Sequence, residues 1–307
     1  MAFLLRILAV FPLPVLYAIR WGLFVAAFHV VRWRVPLARA NIESSLVELS
    51  PDERRRVLRD CYRNLGVTLM EGIWGYGASA EALRERVRIV NPEIVERCKA
   101  QGRSVIMLAG HVCNWEWLLL AAGAHLRIPI DVVYKPLHQA GVDAYVREAR
   151  RRFGANPIPH RSFLYEVMRR GDEPRAYALL ADQTPLQRTP KHWVRFLNRD
   201  TAFFLGPEHI ARYTDATVVY VAMKRVARGR YEVHLEVIAE PPHGDDLGVE
   251  IVEAYARHLE ATIRESPADW LWIHNKWKYP KPADAASERR AARRRRSAGV
   301  AQSSDSR

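Results

Sequence analysis

The sequence predicts an α/β fold: a mixed, mostly parallel central sheet covered by helices, preceded by an N-terminal membrane-anchoring helical segment. Three observations predict it. Short β-like runs alternate with helical patterns through the middle of the chain. The 307 residues, 49% of them apolar, suffice for one large core. The first 31 residues are apolar apart from Arg6, Arg20 and His29. No internal repeat interrupts this pattern.

The N-terminal run is too long for a signal peptide and lacks a small-residue cleavage site. A clean spanning helix needs about 20 apolar residues in a row, whereas Arg20 divides this run and Pro12 and Pro14 kink it. A tilted single anchor and a monotopic hairpin or amphipathic helix therefore both stand, with a buried core helix as the competing reading. Arg32, Arg34 and Arg39 favour the cytoplasmic side for the remainder of the chain.

After this anchor, residues 1–34, S-P-D-E at Ser50 to Glu53 reads as a capped helix start, with Pro51 at the first helical position. Val57, Leu58, Cys61 and Leu65 recur at helical spacing, so the helix is expected to run to about Leu65. Strands are expected at Ser104 to Ala109, Ile130 to Tyr134, Ala176 to Ala181, Thr217 to Val226 and Tyr231 to Ile238. Helices are expected at Asn114 to His125, Val142 to Phe153, Ser162 to Arg170 and Val249 to Glu265. The catalytic body would occupy residues 35–283. Residues 284–307, arginine-rich and without a periodic apolar face, read as a disordered basic tail.

The formal charge of +13 points to an anionic partner, and the tail supplies only +4 of it. Charge alone does not choose between a membrane surface, nucleic acid and a phosphorylated substrate. The three cysteines, Cys61, Cys98 and Cys113, form no C-x-x-C pair and suggest neither a disulfide framework nor a zinc site.

The chemistry concentrates in G-H-V-C-N-W-E-W, Gly110 to Trp117, between two apolar runs. Positions five apart in a helix differ by about 140°, so His111 and Glu116 can cooperate only across a boundary. Gly110 permits a tight turn after the strand, Asn114 is a good N-cap, and Glu116 falls in the first helical turn, from which it could turn back toward His111. Such a pair makes His111 a general base whose tautomer the carboxylate fixes. A His–Glu hydrogen bond at a helix start is the other reading. No G-x-S-x-G elbow supplies a nucleophile, so the attacking group could be a substrate hydroxyl. His and Glu alone are too few for a metal site.

H-V-C-N-W-E matches the H-x-x-x-x-D/E motif of glycerolipid acyltransferases, and G-H-V-C-N-W-E-W resembles the G-H-x-x-N-W-E form of the late lipid A biosynthesis acyltransferases, a family that includes phosphatidylinositol mannoside acyltransferases. The likeness runs from the anchor to about Pro280, through A-R-A-N-I, V-Y-K-P, L-L-A-D-Q and W-L-W-I-H-N-K-W-K. It implies a glycerolipid acyltransferase-like fold and transfer of a fatty acyl chain from acyl carrier protein to a hydroxyl of a lipid A precursor or related anionic glycolipid, at the cytoplasmic face of the bacterial inner membrane. It implies no cofactor, no metal and no nucleic acid. His111 would take the hydroxyl proton, with Glu116 holding it. Asn114, Lys135, Asp182, Gln183 and Arg195 would meet substrate. Lys135 stands where the family often has Arg, which keeps charge and loses the bidentate fork. V-R-F-L-N-R-D at Val194 to Asp200 departs from the family's F-F-G-like segment and leaves the acceptor less defined than the reaction. A lysophospholipid, ornithine lipid or other bacterial lipid acceptor, and a non-catalytic membrane-surface binding protein, are the alternatives. The cluster R-E-A-R-R-R at Arg147 to Arg152 reads either as a contact for lipid phosphate or acidic carrier protein, or as a solvated helix face.

Overall fold

The run V-I-M-L-A, Val105–Ala109, is buried at every position, the signature of a strand in a parallel sheet covered on both faces. It lies in the middle of a seven-stranded sheet. The computed structural model describes residues 2–170, 173–187, 189–244 and 248–282; the tail expected at 284–307 lies outside them. In chain order the elements are α1 (Ala2–Val10), α2 (Leu13–Phe24), α3 (Val35–Ser45), α4 (Pro51–Gly75), α5 (Ala80–Arg86), β1 (Val87–Ile89), α6 (Glu93–Ala100), β2 (Val105–Ala109), α7 (Trp115–His125), β3 (Ile130–Tyr134), α8 (Ala140–Arg151), β4 (Ala155–Pro159) and α9 (Phe163–Arg169). There follow β5 (Ala176–Leu180), β6 (Lys191–Phe196), β7 (Arg199–Phe204), α10 (Gly206–Thr214), β8 (Thr217–Ala227), β9 (Arg230–Ala239) and α11 (Glu250–Glu265).

The sheet order is β1-β9-β8-β2-β5-β3-β4. Pairing is parallel from β8 through β4, and β9 turns back antiparallel on β8 with β1 parallel beside it. This is the mixed, mostly parallel sheet expected. β6 and β7 form a separate antiparallel hairpin packed against α11.

The capping box forms as expected: the Glu53 N–H donates to Ser50 Oγ and the Ser50 N–H to the Glu53 carboxylate. The helix it starts, α4, runs ten residues past the expected end near Leu65. Its second half carries buried Gly66, Val67, Thr68, Met70, Glu71, Gly72 and Ile73 on several sides. An amphipathic stripe cannot be read from a segment that α2 covers on one side and α7 on another. α2 continues through a π-helical turn at Val25–Val30.

Candidate active site

Parallel pairing sets Ala109 of β2 opposite Leu180 of β5. His111 and Asp182, each two residues beyond its strand, therefore emerge side by side at the carboxyl edge of the sheet, where open α/β sheets bind ligands. Gly110 allows the turn to lie close against α11: a Cβ there would stand 2.6 Å from Leu259 Cδ1.

Asp182 is buried and has three partners. Its Oδ1 lies 2.6 Å from His111 Nδ1, and its Oδ2 accepts the His111 backbone N–H at 2.8 Å and the Trp270 indole N–H at 2.9 Å. Burial opposes its charge, but the His111 imidazole and these donors outweigh burial and hold the carboxyl well below the usual carboxylate range. An ionised Asp182 requires the proton on Nδ1, which leaves the Nε2 lone pair outward. Gln183 Nε2 lies 3.3 Å from that nitrogen.

The segment 270–278 locks three successive residues of the opposing loop. Trp270 holds Asp182, Lys276 Nζ donates to the Gln183 carbonyl at 3.2 Å and the Ala202 carbonyl at 2.9 Å, and His274 Nε2 accepts the Thr184 N–H at 3.1 Å. Burial pushes Lys276 down to about 7, with Asp182 opposing, and pushes His274 down to about 4. His274 is thus a neutral acceptor inside the wall of the site.

Glu116 does not hold His111. Arg150 of α8 grips its carboxylate through Nη2 to Oε1 at 2.6 Å and Nε to Oε2 at 3.3 Å, and the Tyr76 hydroxyl donates to Oε2 at 3.1 Å. The first turn of α7 aims Glu116 at α4, where its Cβ and Cγ lie 3.7 Å from a Cβ placed at Gly72, while His111 faces β5. The carboxylate beside His111 comes instead from 71 residues along the chain.

Asn114 is the N-cap of α7, as expected. It is fully buried, its Oδ1 accepts the Trp117 N–H at 3.0 Å, and its amide donates to Glu71 at 2.9 Å. The first bond caps the helix and the second ties its start to α4. Gln183 is exposed beside the imidazole, and Lys135 is exposed just past β3 on the same sheet edge. Arg195 is exposed on the hairpin, across from Asp200, and none of its hydrogen bonds joins it to the His111 group. Cys113, inside the motif, is buried with φ of 52°, and burial drives its thiol far above the ordinary range; its Sγ–H donates to the Met223 carbonyl at 3.3 Å.

An apolar cavity of about 80 Å³ runs between α7 and the sheet, lined by Met107, Leu118, Ala122, Val132, Leu179 and Val221. Glu116 and Arg150 are the charged members of its wall. Trp115 belongs both to this wall and to the imidazole, its ring 5.2 Å from that of His111. Arg150 is visible in the sequence only within a basic cluster; the signal that singles it out is its place four residues after Val146, on the buried face of α8. Trp270 lies in the closing aromatic block, where the sequence offers no partner to define its role.

Comparison with known proteins identifies a family. The family model described as bacterial lipid A biosynthesis acyltransferase matches residues 1–279. The chain is similar to the lipid A biosynthesis lauroyltransferase of Escherichia coli K12, 23% identical over 275 residues that cover 87% of this chain and 86% of the relative. It is similar to the lipid A biosynthesis palmitoleoyltransferase of the same organism, at 22% over 268 residues with 87% and 86% covered. A lipid A biosynthesis acyltransferase of Haemophilus influenzae is 22% identical over 283 residues, covering 88% and 84%.

Proposed function

Because the chain belongs to the bacterial lipid A biosynthesis acyltransferase family, we propose that it transfers a fatty acyl chain from acyl carrier protein to a hydroxyl of a lipid A precursor or related anionic glycolipid at the cytoplasmic face of the inner membrane. That it is an acyltransferase, moving groups other than aminoacyl groups, follows from the family. The observation that carries the finer reading is the His111–Asp182 pair beside an apolar cavity.

His111 Nε2 takes the acceptor hydroxyl proton as the oxygen attacks the thioester carbonyl carbon. Asp182 fixes the tautomer and stabilises the imidazolium that forms. The tetrahedral intermediate collapses with cleavage of the carbon–sulfur bond, and the imidazolium returns its proton to the departing thiolate. No enzyme nucleophile is required. The cavity between α7 and the sheet, at about 80 Å³, takes up only the first few carbons of the acyl chain, chiefly through apolar contacts. Glu116 acts on the wall of that cavity by fixing Arg150, and Lys135, Gln183 and Arg195 meet the polar parts of donor or acceptor.

The test is transfer of labelled acyl chain from acyl carrier protein to a lipid A precursor by the purified chain. His111→Ala is expected to reduce it by on the order of 10³-fold or more while membrane attachment persists. Full activity in that variant would overturn the mechanism. Unchanged lipid A with altered phospholipids after gene deletion would overturn the acceptor.

A further inference from the structure

The stretch Leu13–Val30 is 18 residues long and apolar enough to cross a membrane, about 27 Å at 1.5 Å per residue. Its packing gives it a different geometry. The N-terminal helices run antiparallel to α4 and touch it at successive levels. Ala9 abuts Gly77, where an added Cβ would meet the Ala9 carbonyl at 2.7 Å. Leu16, fully buried, clusters with Met70 and Ile73. The Tyr17 hydroxyl donates to Glu71 at 2.7 Å. The Arg20 backbone meets Gly66, the Arg63 guanidinium lies 5.5 Å from the Phe24 ring, and Phe28 packs on Tyr62 at 5.2 Å. Tyr62 in turn donates to the Trp33 carbonyl.

α4 belongs to the catalytic body. Its Glu71 is fully buried and also accepts from Tyr231 of β9 and Asn114 at the start of α7, while Asn64 bonds Asp269. Were α2 to stand across a bilayer, Arg63, Asn64 and the sheet strand behind Glu71 would enter the hydrocarbon with it, at a cost of several kcal/mol per unsatisfied or charged group. The opposite face of these helices is free and mostly apolar, with Arg6 and His29 the exposed polar exceptions: Val10 is 85% exposed, Phe3 77% and Val30 74%. Exposed Trp21 and Trp33 flank it, the aromatic type favoured at the headgroup level. Exposed Arg32 and Arg39 come next in a chain of formal charge +13, complementary to anionic lipid.

We propose that α1, α2 and the π-helical turn form an anchor lying in the plane of one leaflet of an anionic bilayer, with Phe3, Val10, Val15, Ile19, Leu23 and Val30 in lipid, and do not span it. This deepens the membrane assignment made under the proposed function and rests on it. Both ends of the anchor then stay on the side of the catalytic body. α1 also reaches α8, with Arg6 3.6 Å from Glu148 and its guanidinium 5.5 Å from the Tyr145 ring. α8 supplies Arg150 to the cavity wall, so the leaflet surface and the acyl cavity share a helix.

The test uses the full chain with a nitroxide on single variants Val10→Cys, Val15→Cys, Ile19→Cys, Leu23→Cys and Val30→Cys, bound to vesicles of phosphatidylethanolamine and phosphatidylglycerol. Depth is read from collision with oxygen against a polar nickel chelate. The native cysteines are buried and do not compete for label. The five labels are expected at one shallow depth. A depth profile that passes through the bilayer centre at Ile19 would overturn the proposal. As a second measurement, Ala2→Cys should react with an impermeant maleimide from the same side of sealed membranes as exposed Asp52→Cys; reaction from the opposite side alone would also overturn it. Failure of the unsubstituted chain to bind the vesicles would instead remove the membrane assignment itself.

Discussion

At the scale of single residues, the site depends on which carboxylate the imidazole meets. Asp182→Asn keeps the size of the side chain but replaces an obligate acceptor with an amide that cannot stabilise an imidazolium. It is expected to cost on the order of 10²- to 10⁴-fold in turnover with membrane binding unchanged, as measured by acyl transfer. Retention of full turnover would remove Asp182 from the mechanism. Glu116→Gln acts differently. It leaves the Arg150 guanidinium, 16% exposed, without its charge partner, and breaking such a pair costs about 3 kcal/mol; a lowered melting temperature is expected alongside reduced activity. Cys113 invites the idea of an acyl-enzyme, yet its thiol is buried, bonded to Met223 and held protonated. Cys113→Ala should keep most activity, and no acylated enzyme should accumulate when donor is supplied without acceptor; mass spectrometry decides between the two. His111 is legible in the sequence because a Gly-His turn between two apolar runs is local information. Its partner is not, because the neighbour of β2 in the sheet is set by strand order, and the resemblance marks Asp182 only as a residue that would meet substrate, whereas it is bonded to His111.

At the scale of elements, the segment 270–278 gives the site a pH dependence. Burial is the first cause of the lowered His274 value of about 4, with nearby positive charges adding and Asp182 opposing. The unfolded chain therefore binds the extra proton between the ordinary 6.5 and about 4, so stability rises with pH across that window and is lost as pH falls through it. Thermal melts are expected to drop over this range, and less steeply in His274→Gln, whose amide oxygen can still accept the Thr184 N–H. Equal slopes in both proteins would place the acid sensitivity elsewhere. The elements that the sequence reveals and those it hides separate on physical grounds. β2, β3, β5, β8 and β9 carry unbroken or alternating apolar runs and are legible to within a residue or two of their bounds. β4, A-N-P-I-P, contains two prolines that argue against a strand; it is tolerated because it is the sheet edge and pairs only with β3. The hairpin β6–β7 hides in a stretch that reads only as a departure from a family pattern, since its turn residues Leu197 and Asn198 adopt positive φ without a glycine to announce it.

At the scale of the whole molecule, the N-terminal helices are part of the core. Leu13, Leu16 and Phe24 are 5%, 0% and 3% exposed, and burying each such side chain contributes roughly 1.5–3 kcal/mol, against a total of about 5–15 kcal/mol for a typical domain. Deleting residues 1–34 is therefore expected to give an inactive, aggregation-prone chain, measured by soluble yield and melting temperature in detergent. A soluble, fully active truncation would contradict this. The register of β2 on β5 carries a final consequence, for how such proteins can diverge in length. Inserting or deleting one residue within either strand would displace His111 from Asp182 by about 3.3 Å and send the next side chain to the opposite face of the sheet. Length changes are thus excluded from these two strands and the turns after them, whereas the loops between the end of α7 at His125 and the start of β5 at Ala176 can gain or lose residues without separating the pair. Alignments of divergent relatives should show their gaps there, at loop tips, and none between Val105 and Asn114.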